Sequence, residues 1–188
     1  MSPPGIACPG CSVQNSILVY AQNRAGISNA LHFLPPSFNF TCMTLYFAYG
    51  SNMGNKQMQE RCPNSRRLGP AQLPGWSWII AADGYANVVP AATDRVEGVL
   101  FELAAADEAA LDLFEEIATG AYAKLHLPVN YQGSRTQALV YVGPLSDEGS
   151  AAPEYVLRLQ AAFADAGLDA DYLTRVVRRF ITVTQAGA

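Results

Sequence analysis

Leu45-Tyr46-Phe47-Ala48-Tyr49-Gly50-Ser51-Asn52-Met53 is the stretch from which the rest of the chain can be read. Residues 45–49 form a run of aromatic and apolar side chains, which predicts a buried strand. Gly50-Ser51-Asn52 breaks the run, and a short helical pattern follows to about Arg61, ahead of Pro63. A loop that leaves a strand and enters a helix presents free backbone N–H groups, here with a hydroxyl and an amide beside them. Glycine lets the backbone approach a ligand closely. Such a loop suits a carboxylate or a developing oxyanion, although the same spacing also fits an ordinary turn with a Ser or Asn N-cap. It is not a P-loop, because G-x-x-x-x-G-K-[ST] does not occur.

Downstream, Leu73-Pro74-Gly75 reads as a turn and Trp76 to Ala82 as a strand. Asn87 to Pro90 is short and extended, and Val96 to Leu103 is a further strand. Asp107 is the expected N-cap of a helix running to about Ala118, stopped by Thr119-Gly120. Tyr122 to Val129 and Ala138 to Val142 read as strands joined through a turn at Gln132-Gly133-Ser134. Pro153 opens a last helical stretch that breaks at Gly167 and continues to about Phe180. Closely spaced strands with few crossover helices predict an α+β fold: a small mixed, mostly antiparallel barrel-like sheet flanked by helices.

The helix over 107–118 carries the second group of chemical interest. Leu111, Phe114 and Ile117 make an apolar stripe at helical spacing, bordered by Asp112, Glu115 and Glu116. Periodicity does not choose between Glu115 and Glu116, and taken alone all three carboxylates read as solvated charge. The two histidines, His32 and His126, lie far apart, and no G-x-S-x-G elbow accompanies them. His126 reads as a strand residue with a hydrogen-bond partner. No cluster with metal-ligand spacing is visible.

Composition narrows the function classes. The chain has 188 residues, 50% of them hydrophobic and 15% charged, with a net charge of −4. That is a globular composition with enough apolar residues for one core. The basic residues form no stripe, which argues against a nucleic-acid partner. No apolar run approaches the roughly 18 residues of a membrane span.

The first 42 residues differ: Arg24 is their one charged residue, and proline, serine and asparagine are frequent. Cys8-Pro9-Gly10-Cys11 is a C-x-x-C, but zinc would need a second ligand pair and a redox motif a strand–helix context. The pair reads as incidental thiols in a loose terminus, and the cysteine usage fits a cytosolic protein. Ser16 to Tyr20 is too short, and too poorly flanked, for a signal peptide. The expected division is a terminal segment over 1–42, irregular or a product of a misassigned start at a point upstream of Met43, and a domain over 43–182. On that division, a chain beginning at Met43 should keep its melting temperature, and a fall of many degrees on truncation would show that the segment packs into the domain.

Four elements in order carry a family resemblance. Leu45 to Asn52 resembles the signature of the gamma-glutamylcyclotransferase family. Val96-Glu97-Gly98-Val99-Leu100 resembles its strand before the helix, Leu111-Asp112 to Glu115 with Gly120-Ala121-Tyr122 its L-D-x-x-E and G-x-Y elements, and Pro153-Glu154-Tyr155 its late P-x-Y. The resemblance covers about Met43 to Arg179. It implies the barrel just described and a reaction in which a γ-glutamyl group closes on itself to 5-oxoproline, releasing an amino acid or amine. It further implies Glu115 as catalytic base and acid, and a substrate loop of Tyr46, Phe47, Ala48, Tyr49, Gly50, Ser51 and Asn52. Tyr122 and Tyr155 complete the implied pocket, with no metal or other cofactor. The implied partner is a small γ-glutamyl substrate; the oligomeric state is left open. A non-catalytic module binding a γ-glutamyl-type ligand on the same barrel is the alternative, and Glu115 favours the enzyme. One departure is Glu116, where the family often has glycine.

Overall fold

The computed structural model describes residues 43–180. The expectations for residues 1–42, including Cys8, Cys11 and His32, lie outside the described residues, as do residues 181–188.

Five strands, β1 (Thr44–Ala48), β2 (Arg66–Ile80), β3 (Ala86–Leu103), β4 (Ala123–Tyr131) and β5 (Ser134–Val142), close a barrel in the order β1-β3-β2-β4-β5. Every pairing is antiparallel except the closing one, where β1 runs parallel to β5 at Tyr46 and Leu139. The sheet is therefore mixed and mostly antiparallel, as the sequence leads one to expect. Among the described residues four α-helices flank it: α1 (Asn55–Arg61), α2 (Ala105–Phe114), α3 (Pro153–Ala166) and α4 (Ala170–Arg175). Among the described residues no helix is long and apolar enough to cross a membrane.

The absence of polar alternation in β1 has a direct cause. Phe47 and Tyr49 belong to a core cluster drawn from all five strands and covered by Tyr155 and Leu159 of α3 and Tyr172 of α4. Tyr46 and Ala48 face a second cluster, in which Met58 of α1 and Leu111 of α2 pack on Val99, Phe101, Leu139 and Tyr141. Both faces of the strand are buried, so both are apolar.

Two sequence expectations are corrected here. Leu73-Pro74-Gly75 does not reverse the chain; β2 continues through it with a shift in register between Pro74 and Trp76. Pro74 offers no N–H to the ladder, and Gly75 takes φ 82°, so the strand bulges and bends. Likewise the pieces expected at Asn87–Pro90 and Val96–Leu103 are one strand, 18 residues long. A true two-residue turn does occur at Gln132-Gly133, both with positive φ (48° and 75°), between Tyr131 and Ser134.

The helices are tied to one another and to the barrel by side chains. Asp165 of α3 accepts the N–H of Asn55 at the start of α1 (2.9 Å). Arg67 of β2 donates to the Asp165 and Ala166 carbonyls at the end of α3 (3.0 and 3.1 Å). Cations at that end also suit the helix dipole. Asp107 is not an N-cap: the cap position is Ala104, and Asp107 sits buried in the first turn of α2. Its Oδ1 accepts from the Asn64 side chain (3.2 Å), which pins the α1–β2 connection against α2. His126 is exposed on β4, across from Leu139. Cys62 is a buried thiol whose pKa is pushed up to about 12 by burial, then by the Asp107 carboxylate.

Candidate active site

The helix that carries the acidic residues stops earlier than its sequence pattern indicates. α2 ends at Phe114, and Glu115 is the first residue past it, its N–H still bonded to the Leu111 carbonyl (2.9 Å). Glu116 then takes the left-handed conformation, φ 49°, and turns the chain away. The expected apolar stripe is cut short for the same reason: Leu111 is buried, but Phe114 is more than half exposed. Asp112 fixes the end of the helix from two directions. Its Oδ2 pairs with Lys124 of β4 (3.0 Å), and its Oδ1 accepts from the Tyr141 hydroxyl of β5 (2.7 Å). The backbone that presents Glu115 is thereby held to the barrel.

A left-handed position favours glycine, because an L side chain there costs about 1–2 kcal/mol. Glu116 is therefore a strained residue. Glu116→Gly should raise the melting temperature by roughly 2–4 °C, since glycine's greater freedom in the unfolded chain returns only about 0.4–1 kcal/mol of the relief. Calorimetry checks this; an unchanged or lower melting temperature would mean that the glutamate gains compensating contacts.

Glu115 opens into a cavity of about 380 Å³ whose wall includes Tyr46, Tyr49, Gly50, Ser51, Asn52, Tyr122 and Tyr155. The structure thus brings together residues from β1, its following loop, the end of α2, the approach to β4 and the start of α3. Phe47 and Ala48 are not part of that wall. Both are fully buried in the core, so their part in the loop is to seat it. Gly50 is required by close approach: a Cβ there would lie 2.8 Å from the Tyr155 hydroxyl oxygen. The same tyrosine ring packs edge-on to Tyr85 with centroids 5.0 Å apart, and the Arg158 guanidinium lies 5.3 Å from its centre.

Polar contacts converge on Asn52, which is buried. Its Nδ2 donates to Glu115 Oε1 (3.1 Å) and to the Tyr46 hydroxyl (3.0 Å). Its Oδ1 accepts from Gln57 Nε2 (2.7 Å) and Arg61 Nη1 (2.9 Å), both on α1. Gln57 Nε2 also reaches Ser51 Oγ at 2.7 Å. The Arg61 guanidinium lies over the Phe114 ring, 4.4 Å from its centre, at the cavity edge.

The electrostatics follow from this enclosure. Burial pushes the Glu115 carboxyl above its ordinary range; the Arg61 charge and the Asn52 hydrogen bond pull the other way and only partly offset it. Tyr46, Tyr49 and Tyr122 are all raised, first by burial and with the nearby Glu115 charge adding to it. Burial also lifts Tyr155, to about 12, with hydrogen bonds from Ser51 and Ala86 limiting the rise. At neutral pH the tyrosine hydroxyls of the wall are therefore neutral, and Glu115 among them takes up a proton more readily than an ordinary carboxyl; Arg61, Arg158, Asp83 and Glu116 complete the wall. Among the described residues no group of three or more His, Cys, Asp or Glu side chains is placed to hold a metal.

Sequence reasoning did not single out Gln57, Arg61 or Arg158. The first two stand four residues apart, on one face of a short helix that starts straight after the loop. That spacing, with two donors facing an asparagine, is the signal that was there to find.

A sequence profile described as "Gamma-glutamyl cyclotransferase, AIG2-like" matches residues 46–156, more than half of the chain. Among solved structures, an uncharacterized protein from Homo sapiens is similar with a TM-score of 0.67 at 21% identity, covering 78% of this chain and 92% of that one. A gamma-glutamyl cyclotransferase gives 0.67 at 19% identity, with 78% and 93% covered. YkqA from Bacillus subtilis gives 0.65 at 21% identity, with 74% and 54% covered. At these identities the likeness is one of fold. No curated protein matches. The barrel order, the motifs that line its cavity and the profile match over those same motifs agree: this chain belongs to the gamma-glutamyl cyclotransferase, AIG2-like family.

Proposed function

We propose that this protein cyclises a γ-glutamyl group to 5-oxoproline and releases the attached amino acid or amine, with Glu115 as the proton carrier. Family membership supports an activity of the cyclotransferase type. The observation that carries the finer reading is the Glu115 carboxyl in the cavity wall, raised by burial and hydrogen-bonded by Asn52, a contact that Asp83 and Glu116 of the same wall do not receive.

The chemistry needs little beyond what this site contains. The substrate's own α-nitrogen attacks its γ-carbonyl carbon, so nucleophile and electrophile are already joined and little orientational entropy is lost. Glu115 takes a proton from the α-ammonium, whose unperturbed pKa is about 8. The new C–N bond closes the five-membered ring, the old one breaks, and Glu115 returns its proton to the departing nitrogen. The lactam nitrogen sheds its remaining extra proton to solvent, and the free amine takes one up. Gly50 and Ser51 line the cavity, and their turn, with the Tyr155 hydroxyl that Ser51 hydrogen-bonds, is where the developing oxyanion would be met. The neutral tyrosines pack the substrate's aliphatic chain and keep water out.

A pH dependence follows with a definite sign. The reactive pair is an ionised Glu115 and a protonated substrate amine. kcat/KM should fall on the acid side as Glu115 gains its proton, at a pH above the ordinary carboxylate range because its pKa is raised. It should fall on the alkaline side as the substrate amine loses its own. A profile flat down to pH 4 would contradict this assignment. The direct test of the activity is to incubate the protein with a panel of γ-glutamyl dipeptides and γ-glutamyl amines and assay 5-oxoproline; no product from any of them would favour the non-catalytic binding module.

A further inference from the structure

We propose that Gln57 is a positioning residue: together with Arg61 it fixes which way the Asn52 amide faces, so that an N–H, and not a carbonyl oxygen, is presented to Glu115. The catalytic consequence rests on the cyclisation reading; the geometry does not.

An asparagine amide has two orientations of nearly the same shape, and only its partners choose between them. Here the choice is determined. A guanidinium has donors and no acceptor, so the Asn52 atom 2.9 Å from Arg61 Nη1 must be the carbonyl oxygen. Gln57 Nε2 reaches the same oxygen at 2.7 Å, filling its second lone pair. The amide nitrogen is then turned to Glu115 Oε1 and to the Tyr46 hydroxyl. In the opposite orientation the carbonyl oxygen would face the carboxylate, the NH₂ would face the Arg61 guanidinium, and Gln57 would have to turn its own amide over to meet it.

Arg61 alone is a poor keeper of this arrangement. It is a long side chain that also packs over Phe114, and its charge draws it towards Glu115 itself. Gln57 is shorter, and its Nε2 is anchored a second time on Ser51 Oγ. It is only partly buried, so it can be replaced without opening the core. The titratable and charged groups around Glu115 in the cavity are Tyr46 of β1, Tyr49 just after it, Arg61 of α1, Asp83 and Tyr85 between β2 and β3, Tyr122 ahead of β4, Tyr141 of β5, and Tyr155 and Arg158 of α3, with Glu116 adjacent in the chain. Gln57 changes none of these charges when replaced by a neutral residue.

Gln57→Met keeps length and removes the donor; Gln57→Leu is the second variant should the first fold poorly. Either should lower kcat/KM for a γ-glutamyl dipeptide about tenfold, mainly through kcat, and move the acid limb of the pH profile upward. The sign follows from the lost N–H donor, which had favoured the ionised carboxylate. In an Asn52→Leu background the same substitution should have almost no further effect, because Gln57 acts through Asn52. A fall of equal size in both backgrounds, or wild-type kinetics in Gln57→Met, overturns the proposal. Should the wild-type protein form no 5-oxoproline, the activity reading fails, and carbon-13 NMR titration of the Glu115 carboxyl decides this one separately. Gln57→Met is expected to titrate higher than wild type, and identical titrations overturn it.

Discussion

Glu115→Gln should lower turnover by roughly 10²- to 10⁴-fold while leaving the fold and substrate binding in place. Glutamine keeps the size of the side chain, and its carbonyl oxygen still accepts from Asn52 Nδ2, but it cannot take and return a proton at neutral pH. Glu116→Gln should have a far smaller effect, since Glu116 lines the cavity without the hydrogen bond that Asn52 gives its neighbour. Equal losses in the two variants would mean that the wrong carboxylate, or the wrong mechanism, has been assigned.

The same substitution should raise the melting temperature at pH 7. Burial raises the folded-state pKa of Glu115 above its unfolded value. The folded state therefore binds this proton more tightly, and the stability contributed is fully present below the unfolded pKa and lost as pH rises through the folded one. At neutral pH the wild-type protein carries the cost of ionising a half-buried carboxyl, and glutamine does not. The stability gap between variant and wild type should close in acid. A site that loses activity and gains stability in one substitution is the behaviour expected of a strained functional group.

Gly98→Ala should be among the most damaging single changes in the barrel, on the order of 3 kcal/mol or more. Gly98 lies on β3 beside β1, and a Cβ there would overlap the Ala48 carbonyl oxygen and come 2.7 Å from Phe47 Cζ. One obstacle is backbone and the other a ring fixed in the core, so neither can move aside without parting the two strands. The melting temperature should fall by roughly 10 °C. Because β1 leads directly into the cavity loop, substrate affinity should weaken as well. An unchanged melting temperature would show that β1 and β3 do not approach this closely at Gly98.

The sequence discloses some of this architecture and conceals the rest. β1 and its loop were legible because a strand buried on both faces has no polar positions to confuse its period, and the barrel followed from the strand spacing. The bulge at Gly75 was not, because Pro-Gly marks a reversal and a bend equally well. The end of α2 was misplaced for a sharper reason: the residue that terminates it in the left-handed conformation is a glutamate, which carries no stop signal. Periodicity alone therefore left Glu115 and Glu116 equivalent. The family resemblance selected Glu115, and in the structure it is the one that meets Asn52. The supporting donors on α1, Gln57 and Arg61, do not stand out in the sequence, because their partner is a buried asparagine outside that helix.

The central claim is that the substrate's own amine is the nucleophile. The measurement that tests it most directly compares three compounds by mass spectrometry: a γ-glutamyl dipeptide, its N-acetylated form and the α-linked isomer. Acetylation removes the usable lone pair and leaves the γ-amide intact. The α-linked amine would have to close a strained three-membered ring on the scissile carbonyl. The account predicts 5-oxoproline from the first compound and no amine release from the other two. Release from the acetylated compound, or free glutamate in place of 5-oxoproline from the γ-linked one, would contradict it and make the protein a hydrolase.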